Sequence, residues 1–161
     1  MAASVHEFTL PNIDGSEQSL SAYRGKVLLL VNVASRCGLT PQYKGLEALY
    51  QQFQARGFEV LGFPANNFAG QEPGTNAEIK QFCALRYDVK FPLFGKISVK
   101  GADQHPLYQH LTKESPFPGD VEWNFGKFLV GKDGKVIARF SPQTDPESPE
   151  IQQAITKALE S

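Results

Sequence analysis

Two residues in this chain can form a reactive sulfur, Cys37 and Cys83. Cys37 stands after an apolar run and is followed by Gly38-Leu-Thr40-Pro41. Thr40-Pro41 reads as an N-cap with proline in the first helical position. A thiol at a strand-to-helix turn faces unpaired amide groups and the positive end of the helix dipole, which favour the thiolate. Only the thiolate is a strong nucleophile. Gly38 permits close approach of the backbone, and Arg36 adds a nearby positive charge. The plainer alternative is a buried, inert cysteine, the commoner fate of a free thiol. Cys37-Gly-Leu-Thr40 lacks the second cysteine of a Cys-X-X-Cys pair, which argues against a disulfide oxidoreductase of that kind. His6, His105 and His110 show no ligand spacing with either cysteine, so no metal site is expected.

These residues need a scaffold. The 161 residues are enough for one domain with its own core, and a single domain over residues 1–161 is the expectation. The composition, 41% hydrophobic and 20% charged, is that of an ordinary globular chain. A net charge of −1 gives no basic surface for nucleic acid or an anionic membrane. The longest strongly apolar run, Val27–Val33, is strand-sized and interrupted by Asn32, far short of a membrane span. The amino terminus, Met-Ala-Ala-Ser-Val-His-Glu, has neither a basic start nor an apolar stretch. It does not read as a secretory signal, and a cytoplasmic location with reduced thiols is expected.

Residues 7–10 and 18–20 flank Asp14-Gly15, a hairpin signal. Val27–Val33 reads as a strand covered on both faces. Tyr43, Leu46, Leu49, Tyr50 and Phe53 recur at helical spacing and Gly57 closes that helix. A second strand covers residues 58–63, so strand, helix and strand form a right-handed parallel crossover. Thr75-Asn-Ala-Glu78 is a capping box, with Ile79, Phe82, Cys83 and Tyr87 on one face of its helix. Lys127–Val130 and residues 135–140 flank Asp133-Gly134, a second hairpin signal. Ser148-Pro149 opens the last helix. This order predicts an α/β, thioredoxin-like fold: a central mixed β-sheet flanked by helices, with an N-terminal β-hairpin.

Three segments carry a more specific resemblance. Asn32-Val-Ala-Ser-Arg-Cys-Gly-Leu-Thr-Pro-Gln-Tyr43 resembles the peroxidatic segment of the glutathione peroxidase family. Gly62-Phe-Pro-Ala-Asn-Asn-Phe-Ala-Gly-Gln-Glu-Pro-Gly74 resembles its second signature, and Trp123-Asn124-Phe125 with Lys127-Phe-Leu-Val130 its third. They occur in the family's order over nearly the whole chain. The resemblance implies a hydroperoxide reductase in which Cys37 is the peroxidatic residue, with Trp123 and Asn124 from the family's catalytic tetrad. It places Asn67 where the tetrad has glutamine. Asparagine is one methylene shorter, so it would reach the sulfur through a water or a backbone shift. Gln71-Glu72-Pro73-Gly74 reads as a turn that shapes the site.

Cys83 has two readings, a packed core thiol or a resolving cysteine. Gln81-Phe-Cys83 resembles the helix that carries the resolving cysteine in the thioredoxin-dependent branch of the family. That implies a Cys37–Cys83 disulfide reduced by thioredoxin, and unravelling of residues 75–87, since a disulfide needs Cα atoms within about 7 Å. The alternatives are direct use of glutathione with Cys83 a bystander, and a peroxide sensor that passes oxidation to a partner protein. No bound cofactor is expected, only an external thiol reductant. The short connection at residues 113–122 implies, by analogy, a monomer with a site open to bulky lipid hydroperoxides.

Overall fold

The structure is a computed structural model that describes residues 4–161; residues 1–3, which begin the amino-terminal stretch discussed above, lie outside it. The central strand is β3 (Val27–Val33), preceded by the hairpin of β1 (Thr9–Pro11) and β2 (Glu17–Ser19). Helix α1 (Gln42–Phe53) crosses from β3 to β4 (Phe58–Pro64), which pairs parallel to β3 from Val27↔Phe58 to Val33↔Pro64. Helix α2 (Asn76–Tyr87) and the short α3 (Pro106–Gln109) follow. Strand β5 (Lys127–Val130) pairs antiparallel to β3, β6 (Val136–Phe140) completes the order β4-β3-β5-β6, and α4 (Pro149–Leu159) ends the chain. The expected mixed sheet and N-terminal hairpin are both present.

Every residue of β3 is buried, which explains its nearly uninterrupted apolar run. Val27, Leu29, Val31 and Val33 pack with Tyr43, Leu46, Leu49 and Phe53 of α1 and Ile151 and Ile155 of α4. Leu28 and Leu30 face the other way, against Phe63, Phe94, Tyr108 and Leu111. Each buried aliphatic side chain contributes about 1.5–3 kcal/mol, which offsets the ~1–2 kcal/mol cost of fixing its backbone. Among the described residues, no helix is long and apolar enough to cross a membrane.

The polar interruption in β3 has a structural use. Asn32 is 1% exposed, and its Nδ2 donates to the Trp123 carbonyl at 3.0 Å. Its own carbonyl accepts from the Phe125 amide at 2.6 Å. Phe125 adopts φ of 70°, an unfavourable region for a bulky residue. Its carbonyl in turn accepts from the buried Lys127 Nζ at 2.7 Å. Lys127 also reaches the Pro142 carbonyl at 3.3 Å, and burial lowers its pKa to about 8. The turn before β5 is thus held from both sides against its strain.

One local expectation is corrected. Thr40 does not cap α1: that helix begins at Gln42, and its N-cap position is Pro41, with no side-chain cap. The Thr40 hydroxyl instead donates to the Ala34 carbonyl at 2.8 Å and accepts from the Cys37 amide at 2.9 Å. Proline and threonine here build a tight turn before the helix, because the hydroxyl bonds backward to the strand end.

Helix α2 is the loosely held element. Its capping box is complete, with Glu78 N to Thr75 Oγ1 at 3.2 Å and Thr75 N to Glu78 Oε1 at 2.9 Å. Yet only Ile79 and Cys83 are fully buried along its twelve residues, and Leu85 is 79% exposed. Removing the cap in Thr75→Ala should cost about 1 kcal/mol and speed amide exchange in α2 about fivefold. Hydrogen exchange checks this; unchanged exchange in α2 would contradict it.

Candidate active site

Cys37 lies in the turn between β3 and α1 and is buried, with 9% of its surface exposed. The Thr40 hydroxyl fixes its backbone, as described, and the Thr40 amide donates to the Cys37 carbonyl at 3.0 Å. Two N–H groups point at the sulfur. The Leu39 amide and the Trp123 indole Nε1 each approach Sγ at 3.3 Å. Both donors favour negative charge on sulfur, and neither belongs to a regular helix end. Trp123 is half-buried, and its ring packs on Phe68 at 5.5 Å. The indole therefore supplies a donor and an apolar wall at once.

Asn124 is fully buried beside Trp123 and donates through Nδ2 to Gln71 Oε1 at 3.0 Å. The Gln71 backbone carbonyl accepts from the Arg36 amide at 3.0 Å, immediately before Cys37. The structure therefore links three chain segments next to Cys37, residues 36–40, residue 71 and residues 123–124, of which Leu39 and Trp123 reach the sulfur itself.

The side chain of Asn67 makes its hydrogen bonds to residues 98–100 and none to the sulfur. Its Oδ1 accepts from the Val99 amide at 2.8 Å, and its Nδ2 donates to Ser98 Oγ at 3.0 Å and the Lys100 carbonyl at 3.2 Å. Its amide is fully engaged in holding the loop of residues 98–100.

Cys83 is 1% exposed within α2 and lies against Tyr43 of α1. Burial pushes its thiol up to about 11; the Tyr43 hydroxyl acts in the opposite direction, and the Glu72 carboxylate adds to the rise. Both cysteines are free and are not close to one another. The Tyr43 ring stacks on Tyr87 at 5.5 Å and meets Phe82 edge-on at 6.5 Å, so α2 docks on α1 through aromatic contacts around the thiol.

The family model described as glutathione peroxidase matches residues 5–112, well over half of the sequence. This chain belongs to the glutathione peroxidase family. It is 49% identical over 156 residues to the glutathione peroxidase of Lactococcus lactis, covering 96% of this chain and 98% of that one. It is 45% identical to the thioredoxin/glutathione peroxidase BtuE of Escherichia coli, over 99% of each chain. Identity to the hydroperoxy fatty acid reductase gpx1 of Synechocystis is 50%, over 97% of this chain and 96% of that one. Among solved structures, apo Trgpx superposes with a TM-score of 0.81 at 44% identity, covering 100% and 98% of the two chains. A thioredoxin-family thiol:disulfide interchange protein of Chlorobium tepidum matches at 12% identity with a TM-score of 0.73, covering 99% and 97%, a likeness of fold alone. The protein is accordingly a hydroperoxide reductase of the glutathione peroxidase type on a thioredoxin-like fold.

The sequence reading of this glutathione peroxidase missed Gln71. The signal was the turn: Ala69 and Gly70 both take positive φ, 56° and 61°, and the Gln71 amide returns to the Phe68 carbonyl at 3.2 Å. Chain reversal puts the return limb, not Asn67 on the outgoing limb, beside Asn124. Asn67→Ala should therefore lower thermal stability, by about 1–2 kcal/mol, while peroxide consumption by Cys37 stays within about threefold. A hundredfold loss of peroxide reactivity with unchanged melting would contradict this assignment.

Proposed function

We propose that Cys37 performs the chemistry as a thiolate. The sulfur attacks the terminal hydroperoxide oxygen, the O–O bond breaks, and Cys37 becomes a sulfenic acid. The departing hydroxide or alkoxide takes up a proton and leaves as water or an alcohol. The observation that carries this reading is the Trp123 indole hydrogen bond to Cys37 Sγ at 3.3 Å. Together with the Leu39 amide, it stabilises charge on sulfur before attack and on the departing oxygen as charge passes to it. Asn124 and Gln71, bonded to each other next to the indole, offer amide groups for the same oxygen. Trp123→Phe keeps the wall and removes the donor. A hydrogen bond to a charged group is worth about 1.5–3 kcal/mol, so single-turnover oxidation of Cys37 should slow about tenfold to a hundredfold. An unchanged rate would overturn the role of the indole.

In the second half of the cycle, Cys83 condenses with the sulfenic acid, water leaves, and thioredoxin reduces the disulfide by exchange. Helix α2 must unwind for this, and its shallow anchoring lowers the cost. The name of the Escherichia coli relative, thioredoxin/glutathione peroxidase, is consistent with either reductant. The burial of Cys83 away from Cys37 favours the second reading, in which glutathione attacks the sulfenic acid directly. Substrates include hydrogen peroxide and organic hydroperoxides; the apolar wall of Trp123 and Phe68 beside Cys37 suits a hydroperoxide with an apolar tail. The protein acts as a monomer in this account, with no bound cofactor.

Peroxide-dependent NADPH oxidation, coupled through thioredoxin with its reductase or glutathione with its reductase, separates the two. Cys83→Ser should lose about a hundredfold in the thioredoxin-coupled assay. Full thioredoxin-coupled turnover by Cys83→Ser would overturn the resolving role.

A further inference from the structure

Glu72 is a buried carboxylate that the peroxide step does not use. It follows Gln71; the Gln71 side chain is bonded to Asn124, while Glu72 lines a cavity toward α2. The residue is 1% exposed, and its Oε2 is buried with no hydrogen-bond partner. Ser35 is the group hydrogen-bonded to this carboxylate, but burying a carboxylate so far from water is costly in a purely structural role. Its backbone is firmly placed. The amide donates to Asn66 Oδ1 at 2.8 Å, and the carbonyl accepts from Lys96 Nζ at 3.0 Å.

The surroundings of the carboxylate indicate its use. It lines a cavity of about 200 Å³ between the segment leading into Cys37 and the first half of α2. Ser35 and Arg36 form one wall, and Glu78, Ile79 and Phe82 form the other. Cys83 follows Phe82 on that helix, and Cys37 follows Arg36 on the facing segment. The negative charge of Glu72 acts on both the Cys83 thiol and the Tyr43 hydroxyl. Burial raises the pKa of Glu72 above the ordinary carboxylate range, while Ser35, Lys96 and Arg36 hold it down in part. It is therefore a stronger base than an exposed carboxylate.

We propose that Glu72 is the base that takes the Cys83 thiol proton as the Cys37–Cys83 disulfide closes. This rests on the reading of Cys83 as the resolving cysteine. The balance is simple. The Cys83 S–H bond breaks and its proton passes to Glu72. The Cys83 sulfur attacks Cys37, the S–S bond forms and the S–O bond of the sulfenic acid breaks. The departing hydroxide takes the proton from Glu72 and leaves as water. Sulfur in the sulfenic acid is reduced and the Cys83 sulfur is oxidised, so no outside electron is needed. In the resting protein burial keeps Cys83 protonated and the same carboxylate adds to this by repulsion, which protects the thiol from direct oxidation.

The charged and titratable groups facing this space are Arg36, Lys96, Glu78, Tyr43 and Glu72 itself. Of the two carboxylates among them, burial raises the proton affinity of Glu72, whereas the Thr75 cap lowers that of Glu78. The test follows the decay of preformed Cys37 sulfenic acid into disulfide by rapid quench and mass spectrometry, as a function of pH. With Glu72 as base, closure in the unmodified protein levels off once the carboxylate is ionised and stays level well below the titration of the Cys83 thiol at about 11. In Glu72→Gln, closure falls about a hundredfold at neutral pH and then climbs about tenfold per pH unit with the Cys83 thiolate fraction. Closure in the unmodified protein that climbs tenfold per pH unit over the same range overturns the proposal, whether or not Glu72→Gln folds. So does a Glu72→Gln protein that closes at the original rate. If the unmodified protein forms no Cys37–Cys83 disulfide at all, the resolving reading itself fails, and this proposal with it.

Discussion

A single buried asparagine organises this active site. Asn32 occupies the strand that both hydrophobic layers share; its Nδ2 is paired, while its Oδ1 is buried without a partner. Its Nδ2 and its carbonyl hold Trp123 and Phe125 at 3.0 and 2.6 Å, and so bring a segment some ninety residues distant to the end of β3. The indole then meets the Cys37 sulfur and the Asn124 amide meets Gln71. The strained backbone at Phe125 persists because Lys127 secures its other side. The reactive sulfur depends on this tether for its most distant donor.

The fold divides into a rigid half and a releasable half. Strands β3, β4 and β5 with α1 and α4 are packed through fully buried side chains. Helix α2 contributes only Ile79 and Cys83 to the deep core and leans on the aromatic surface of Tyr43. Elements that move are drawn from the low-stability end of a structure. The thiol that would have to leave, Cys83, is inert while buried because desolvation keeps it protonated. Local opening would therefore both deliver it and make it easier to ionise, which ties reactivity to motion.

Much of this was legible in the sequence, for physical reasons. The hydrophobic periods identified the central strand and the main helices, since burial on two faces and on one stripe leaves different patterns. The capping box at Thr75 was read correctly because it is a local device. The errors also have local causes. Thr40-Pro41 carried the composition of a helix start, but the threonine hydroxyl bonded back to Ala34 and Cys37. Asn67 was placed by its position in a motif, and the motif carried no sign that after the reversal at Ala69 and Gly70 it is Gln71 that meets Asn124. The buried isolation of Glu72 left no sequence signal at all, because it is visible only when Ser35 and α2 close around it.

The central claim is that peroxide oxidises Cys37 first. The direct measurement is peptide mass spectrometry of the reduced protein after one equivalent of hydrogen peroxide and rapid alkylation. The account predicts that Cys37 escapes alkylation and is recovered as a sulfenic acid or bridged to Cys83. Full alkylation of Cys37, with peroxide consumed elsewhere or not at all, would contradict it.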